Sequence, residues 1–245
     1  MKDLFSEQSE LYQQARPTYP QSLVNCLIAQ LNGLDSAWDC GAGSGQLTQL
    51  IAPYFQQVVA TDLSQNQLDQ APALPNVQYL QQAAEQTSFA DQSFDLITVA
   101  QAIHWFDFEK FYAEVKRTLK ADGIFAVIGY GLLELDDKDL NDRITQLYHN
   151  TLNGFWDVER RYIDEHYQTI PFPFEEIAMP QFQIELGWTG TQLWDYLNTW
   201  SAVKHYQDQQ HVSPLTSLQD ILQIQQPIGV NFPILLRVGR LAASE

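Results

Sequence analysis

Eight consecutive residues, Trp38-Asp39-Cys40-Gly41-Ala42-Gly43-Ser44-Gly45, join a carboxylate to a glycine-rich turn, and a second carboxylate, Asp62, follows a short apolar run. Glycines let a chain turn sharply and bring its backbone close to a ligand without a Cβ in the way. Asp62 closes Val58-Val59-Ala60-Thr61, where an acidic side chain at a strand end accepts both hydroxyls of a ribose. A glycine turn alone is as readily an ordinary tight turn. The pairing with a carboxylate on the next strand is what points to a ligand containing a nucleoside.

The spacing bears on which ligand. A dinucleotide site carries G-x-G-x-x-G with phosphates on a helix amino terminus. Here the spacing is G-x-G-x-G, Gln46 stands where the third glycine would be, and Asp39 precedes the glycines by two positions. A carboxylate so placed repels a pyrophosphate and welcomes an ammonium group. A ligand with an adenosine, a cationic sulfonium and an amino-acid end suits both features, and that ligand is S-adenosylmethionine.

These residues need a scaffold that alternates strands and helices. Leu23, Leu27, Ile28 and Leu31 follow Pro20 at helical spacing, with Asn32-Gly33 as the stop. Segments 37–40, 58–61, 77–80, 94–100 and 124–128 read as strands. Helices are expected around Leu47–Ile51, over 63–71 with Ser64 as cap, and over 108–119, and Asp122-Gly123 reads as a turn. That rhythm predicts a parallel sheet covered on both faces. Residues 132 to about 180 break it, reading as a helical lid insertion rich in charge and aromatics. Beyond it, 182–186 and 233–238 are expected strands, and 191–205 and 215–224 expected helices. The expected organisation is a single domain over 1–245: a cofactor-binding core at about 20–130, the insertion, and acceptor-side elements at about 181–245.

The run from Trp38 to Gly45 resembles motif I of the class I S-adenosylmethionine-dependent methyltransferases. Val59 to Ser64, Ala84-Glu85, Ser93-Phe94-Asp95 and Leu119 to Gly123 resemble later blocks of that family, in order. Tyr12 with Arg16-Pro17-Thr18-Tyr19-Pro20, Gln101-Ala102-Ile103-His104-Trp105-Phe106, and Tyr196 to Ala202 are similar to the trans-aconitate methyltransferase-like branch. The resemblance implies an α/β, Rossmann-like, seven-stranded, mostly parallel sheet with its last strand antiparallel. It also implies S-adenosylmethionine as cofactor, S-adenosylhomocysteine as product, and no metal. Carried over by position, Asp39 and the backbone of Gly41, Ala42, Gly43 and Gly45 would hold the methionine end and Asp62 the ribose. Leu63 would lie on the adenine face, Ala84 and Glu85 at its edge, and Gln101 and His104 beside the donor methyl. Ala83 departs from the acidic residue that many relatives carry there, so Glu85 or a backbone carbonyl would take its part.

The donor methyl is already activated, so the protein aligns the nucleophile, excludes water and, for some acceptors, removes a proton. His104 is the best placed of the five histidines for a base, and a loop-ordering role fits it equally. A carboxylate acceptor is ionised already and calls instead for an arginine. Arg16 with Tyr12 and Tyr19 is the first choice for the acceptor. Trp105 and Trp200 are candidate cavity walls that would serve equally as core, and Arg160-Arg161 reads as a solvated helix face.

The net charge of -17 argues against a nucleic-acid partner or an anionic membrane surface. No apolar run approaches the ~18 residues of a spanning helix. The amino-terminal MKDLFSEQSE lacks an apolar signal region, and Cys26 and Cys40 cannot form a disulfide framework, so a cytoplasmic protein is expected. Oligomeric state leaves no mark in the sequence. The favoured expectation is a methyltransferase acting on a small molecule, in finer form an O-methyltransferase of an organic acid. The competing readings are a nicotinamide-dependent oxidoreductase and a non-catalytic cofactor-binding regulatory protein.

Overall fold

The computed structural model describes residues 16–242, so Tyr12 lies outside the described residues. The glycine turn and Asp62 sit at the carboxyl ends of two neighbouring parallel strands, β1 (Ser36–Cys40) and β2 (Gln57–Asp62), which pair in register from Ser36 with Gln57 to Cys40 with Thr61. β3 (Val77–Gln81) pairs on the far side of β2. On the other side of β1 lie β4 (Phe94–Ala100) and then β5 (Leu119–Tyr130), also parallel. β9 (Ile228–Arg240) runs antiparallel to β5. The order β3-β2-β1-β4-β5-β9 reverses direction across β1, where ligands of such sheets bind.

Alternation along the strands sorts side chains onto two cores, because successive residues point to opposite faces. Ala37, Val58, Leu96, Ile124, Ala126 and Ile128 face one core. Trp38, Cys40, Ile97, Val99, Phe125 and Val127 face the other. Helix α1 (Gln21–Ile28) covers the first face with Leu23, Val24 and Leu27, joined by Ile51 of the short α2 (Thr48–Ile51). After α3 (Gln65–Leu68), capped by the Ser64 hydroxyl on the Gln67 amide, α4 (Phe108–Thr118) covers the second face with Phe111, Tyr112 and Val115. Buried on both sides, β4 and β5 are nearly continuous apolar runs, as parallel strands require.

The expected Asp122-Gly123 turn is instead part of β5. Phe94 pairs with Leu119 and Leu96 with Ile124, so β5 bulges between them. A Cβ on Gly123 would come within 2.9 Å of the Asp95 carbonyl oxygen and 3.0 Å of that of Phe94, which is why the bulge takes a glycine.

The segment 132–180, expected as a helical insertion, carries two short strands beside its helices. It holds β6 (Glu134–Leu135), α5 (Lys138–Gln146), a wide turn over Leu147–Thr151, a tight turn over Val158–Arg160, α6 (Arg161–Asp164) and β7 (Glu175–Glu176). Both short strands pair with β9, on opposite sides of it, and two residues are too few to leave a periodicity in the sequence. β8 (Gln183–Trp188) pairs with the first half of β9, from Gln183 with Pro233 to Trp188 with Ile228. The helix expected over 191–205 is two helices, α7 (Gly190–Asn198) and α8 (Ser201–Gln210). Between them the Thr199 hydroxyl donates to the Tyr196 carbonyl and Trp200 turns to extended backbone, which stops the helix and sends the indole into the core. No helix among the described residues is long and apolar enough to cross a membrane.

Candidate functional site

Asp39, on β1, is fully buried and held from two sides. Its register partner on β4, Thr98, donates to one carboxylate oxygen at 2.8 Å, and Thr48 at the start of α2 donates to the other at 2.6 Å. Burial pushes its carboxyl up to about 6 against the pull of these two hydroxyls, and the charge of Asp62 adds to the rise. A carboxylate at this poise is one that a cation brought alongside would return to its ionised state.

The turn after β1 is fixed by the next strand. Ala42 N–H donates to the Thr61 carbonyl at 2.9 Å, and Gly43 N–H to Asp62 Oδ2 at 2.9 Å. The other Asp62 oxygen accepts from Ser64 N–H. Gly41 has φ +68°, and a Cβ there would lie 2.6 Å from Ala102 Cβ, so only glycine lets this turn pass under the loop after β4.

A cleft of about 1100 Å³, counting the space open at its mouth, lies over the carboxyl ends of β1, β2, β4 and β5. It gathers most residues chosen from the sequence: Arg16, Tyr19, Asp39, Gly41, Ala42, Gly43, Asp62, Leu63, Ala84, Gln101 and Trp105 all line it. Other expected residues stand off its wall. Gly45 lies under Tyr79 and Ala71, and Glu85 accepts from Asp107 N–H at 3.2 Å. His104 is buried against Trp105 and Tyr167, and Trp200 is buried among Tyr148, Trp156 and Tyr196. Arg160, expected on a solvated face, is half-buried, with its guanidinium over the Trp156 ring and its Nε donating to Tyr148 Oη at 2.9 Å.

The cleft is polarised. Among its described lining residues the charged ones are Asp39 and Asp62, on β1 and β2, and Arg16, beside Tyr130 at the end of β5. Arg16 donates to Tyr130 Oη at 3.1 Å and to the Thr199 carbonyl, and lies 5.4 Å from the centre of the Tyr196 ring. His104 is held neutral: burial, and then the charge of Arg160, push it down to about 3.

Several wall residues were not singled out from the sequence. Tyr130 ends β5, and the rule that ligands sit at strand carboxyl ends would have found it. Thr48 and Thr98 reach Asp39 only through the register of β1 with β4 and the placement of α2, which no local pattern announces. Gln82 follows β3, and its buried Nε2 has no hydrogen-bond partner among the described residues. An unsatisfied buried amide on the wall of a cleft is what a site for a heteroaromatic base with ring-nitrogen acceptors would offer. The carboxylate pair, the glycine cradle and this amide fit an adenosine carrying a cationic amino-acid tail.

Comparison with known proteins agrees with this geometry. Residues 38–127 match the family described as Methyltransferase domain. A Dictyostelium discoideum protein named only as a methyltransferase is 32% identical over 97% of this chain and 95% of its own length. A Saccharomyces cerevisiae protein named as an S-adenosylmethionine-dependent methyltransferase is 33% identical over 49% of this chain and 44% of its own. Among solved structures, a type II methyltransferase, so named, from Anaeromyxobacter dehalogenans superposes with a TM-score of 0.86 at 35% identity, over 93% of this chain and 99% of that one. YcgJ from Bacillus subtilis shares the fold, with a TM-score of 0.54 at 21% identity over 92% of this chain and 100% of that one. Matched along nearly its whole length, the chain belongs to the class I S-adenosylmethionine-dependent methyltransferases.

Proposed function

We propose that the cleft binds S-adenosylmethionine and that the chain methylates an oxygen of a small organic acid. The observation that carries this reading is the polarity of the cleft, two carboxylates on β1 and β2 and a guanidinium beside the end of β5. When bound, the cofactor supplies a methyl group on a sulfonium and leaves as S-adenosylhomocysteine. Asp39 and the turn Gly41 to Gly45 hold the cationic amino-acid end. Asp62 accepts from the ribose hydroxyls, Leu63 packs on the adenine, and Gln82, with Ala84 and Glu85 nearby, reads its edge. Gln101 and His104 order the floor near the donor methyl.

On the acceptor side, the charge of Arg16 draws a carboxylate, with Tyr19, Tyr130 and Trp105 as walls. An ionised carboxylate is itself the nucleophile, so no base is required. That agrees with a histidine too weakly basic at about 3 to take a proton near neutral pH. The chain's work is alignment and exclusion of water from a partly enclosed cleft.

Calorimetric titration with S-adenosylmethionine, S-adenosylhomocysteine and NAD tests the donor half, and tight binding of NAD alone overturns it. Transfer of labelled methyl to a panel of small mono-, di- and tricarboxylic acids, each beside its amide, tests the acceptor half. Turnover of acids and not amides is expected, and equal turnover of the amides rules out recognition of the carboxylate.

A further inference from the structure

Tyr167 lies far from the glycine turn in sequence and is fully buried at the floor behind the cleft. Its hydroxyl is 3.3 Å from Gln101 Oε1 and 3.4 Å from His104 Nδ1. Both partners belong to the loop after β4, and Gln101 lines the cleft itself. The ring is fitted into place by the sheet. A Cβ on Gly129 of β5 would lie 2.6 Å from Tyr167 Cε2, so this stretch of strand is bare where the ring rests.

The main chain of Tyr167 is clamped as firmly. Its N–H donates to the Tyr162 carbonyl at 2.7 Å, and its carbonyl accepts from Arg237 of β9 at 3.2 Å. His166, Tyr167 and Gln101 all hold left-handed backbone, at φ of 54°, 59° and 54°. Non-glycine residues adopt that region at a cost, and they persist there where the surroundings over-determine them. Two strained segments, distant in sequence, therefore meet through a single hydroxyl.

The direction of this chain of hydrogen bonds follows from its one group that cannot be reversed. Gln101 Nε2 is 3.2 Å from the Tyr130 carbonyl, which can only accept. Gln101 must therefore present its amide nitrogen there and its oxygen to Tyr167, since the flipped amide would set two acceptors against each other. The Tyr167 hydroxyl has one proton, and Gln101 Oε1 takes it. The remaining contact to His104 requires the imidazole to donate from Nδ1 to the tyrosine oxygen. Burial and Arg160 keep the ring from holding a second proton. Nε2 is then a bare lone pair, and no hydrogen bond to it occurs among the described residues.

We propose that Tyr167 is a positioning residue that, through its hydroxyl, orients Gln101 at the cleft wall and fixes His104 behind it as the Nδ1-protonated tautomer. That Gln101 stands beside the donor methyl rests on the function proposed above. The tautomer does not rest on that reading, because it is written in the ligand-free protein.

The test is nitrogen-15 NMR of the full-length protein labelled at histidine, with His104 identified by loss of its signals in His104→Asn. The expected spectrum at neutral pH shows His104 protonated at Nδ1 and bare at Nε2. Tyr167→Phe, which removes only the hydroxyl, should move the proton to Nε2 in part or in full, with the other four histidines unmoved. A His104 protonated at Nε2 in the unaltered protein overturns the proposal, and so does a Tyr167→Phe spectrum that leaves His104 unchanged. Should Tyr167→Phe fail to fold, the unaltered protein's spectrum decides the matter alone. No cofactor or turnover is needed, so a failure of S-adenosylmethionine to bind would count against the proposed function without touching this result.

Discussion

Asp39 and Thr98 face each other as register partners on adjacent parallel strands, with the threonine hydroxyl 2.8 Å from the carboxylate at the floor of the cleft. With Thr48 on the other oxygen, the carboxylate is satisfied by hydrogen bonds but not by charge. Hydrogen bonds from neutral hydroxyls offset only part of the cost of burying an ion. The site holds its anion at the expense of the empty fold.

Asp39→Asn should therefore raise the stability of the ligand-free protein while weakening cofactor binding. The shift from 3.8 to about 6 corresponds to a destabilisation on the order of 2–3 kcal/mol at pH 7. Some of that is returned by the amide, so a gain of about 1–2 kcal/mol is expected in chemical denaturation. Titration calorimetry should show weaker S-adenosylmethionine binding in the same variant. A variant both less stable and unaltered in affinity would contradict this account.

The same carboxylate sets a pH dependence whose sign is fixed. Its folded value lies above its unfolded one, so the stabilisation it confers is fully present below about 4 and is lost as pH rises through about 6. Cofactor binding runs the other way, because a cationic ligand requires the ionised form. Affinity for S-adenosylmethionine should fall as pH drops below about 6, and this dependence should vanish in Asp39→Asn. Binding calorimetry and chemical denaturation, each followed from about pH 4 to about pH 8, check both.

Asp62 joins the end of β2 to the glycine turn, accepting from Gly43 N–H and Ser64 N–H. Asp62→Ala should weaken cofactor binding by about 1–3 kcal/mol, the loss of hydrogen bonds to a charged acceptor. Unchanged affinity would remove Asp62 from the site.

Gly129 is a test of packing behind the site. Gly129→Ala places a methyl 2.6 Å from a ring that Tyr162 and Arg237 hold by its backbone, so the ring cannot withdraw freely. A loss of about 1–3 kcal/mol of stability is expected from the overpacking. It should appear in thermal unfolding, together with a disturbed His104 signal.

Arg16→Ala should raise the acceptor KM for carboxylic acids and leave cofactor affinity near its original value. Arg16→Lys should recover part of the loss, since the charge remains but the fork does not. An acceptor KM that stays level across both variants would take the guanidinium out of substrate recognition.

The sequence was most legible where chemistry is local. Asp39, the glycine turn, Asp62 and the five leading strands follow from residue type and spacing, because each is decided within a few neighbours. The last strand was legible as a strand but not in its length, since its first half is held by β8 and β6, and the sequence around Pro233 reads as a boundary. What was not legible depends on register and on distant contacts. Thr98 looks like any strand threonine until β1 lies beside it. Tyr167 looks like one more aromatic in a mixed segment until Gly129 leaves room for it. Trp200 shares a helical pattern with its neighbours, and only its burial shows that the helix must break there.

β9 spans thirteen residues, bonded along one half to β5 and along the other to β8. It acts as a beam that ties the parallel strands to the elements that follow them. An injury anywhere along it is felt by two neighbouring strands at once, so its cost falls on the stability of the sheet more than on any one contact of the cleft.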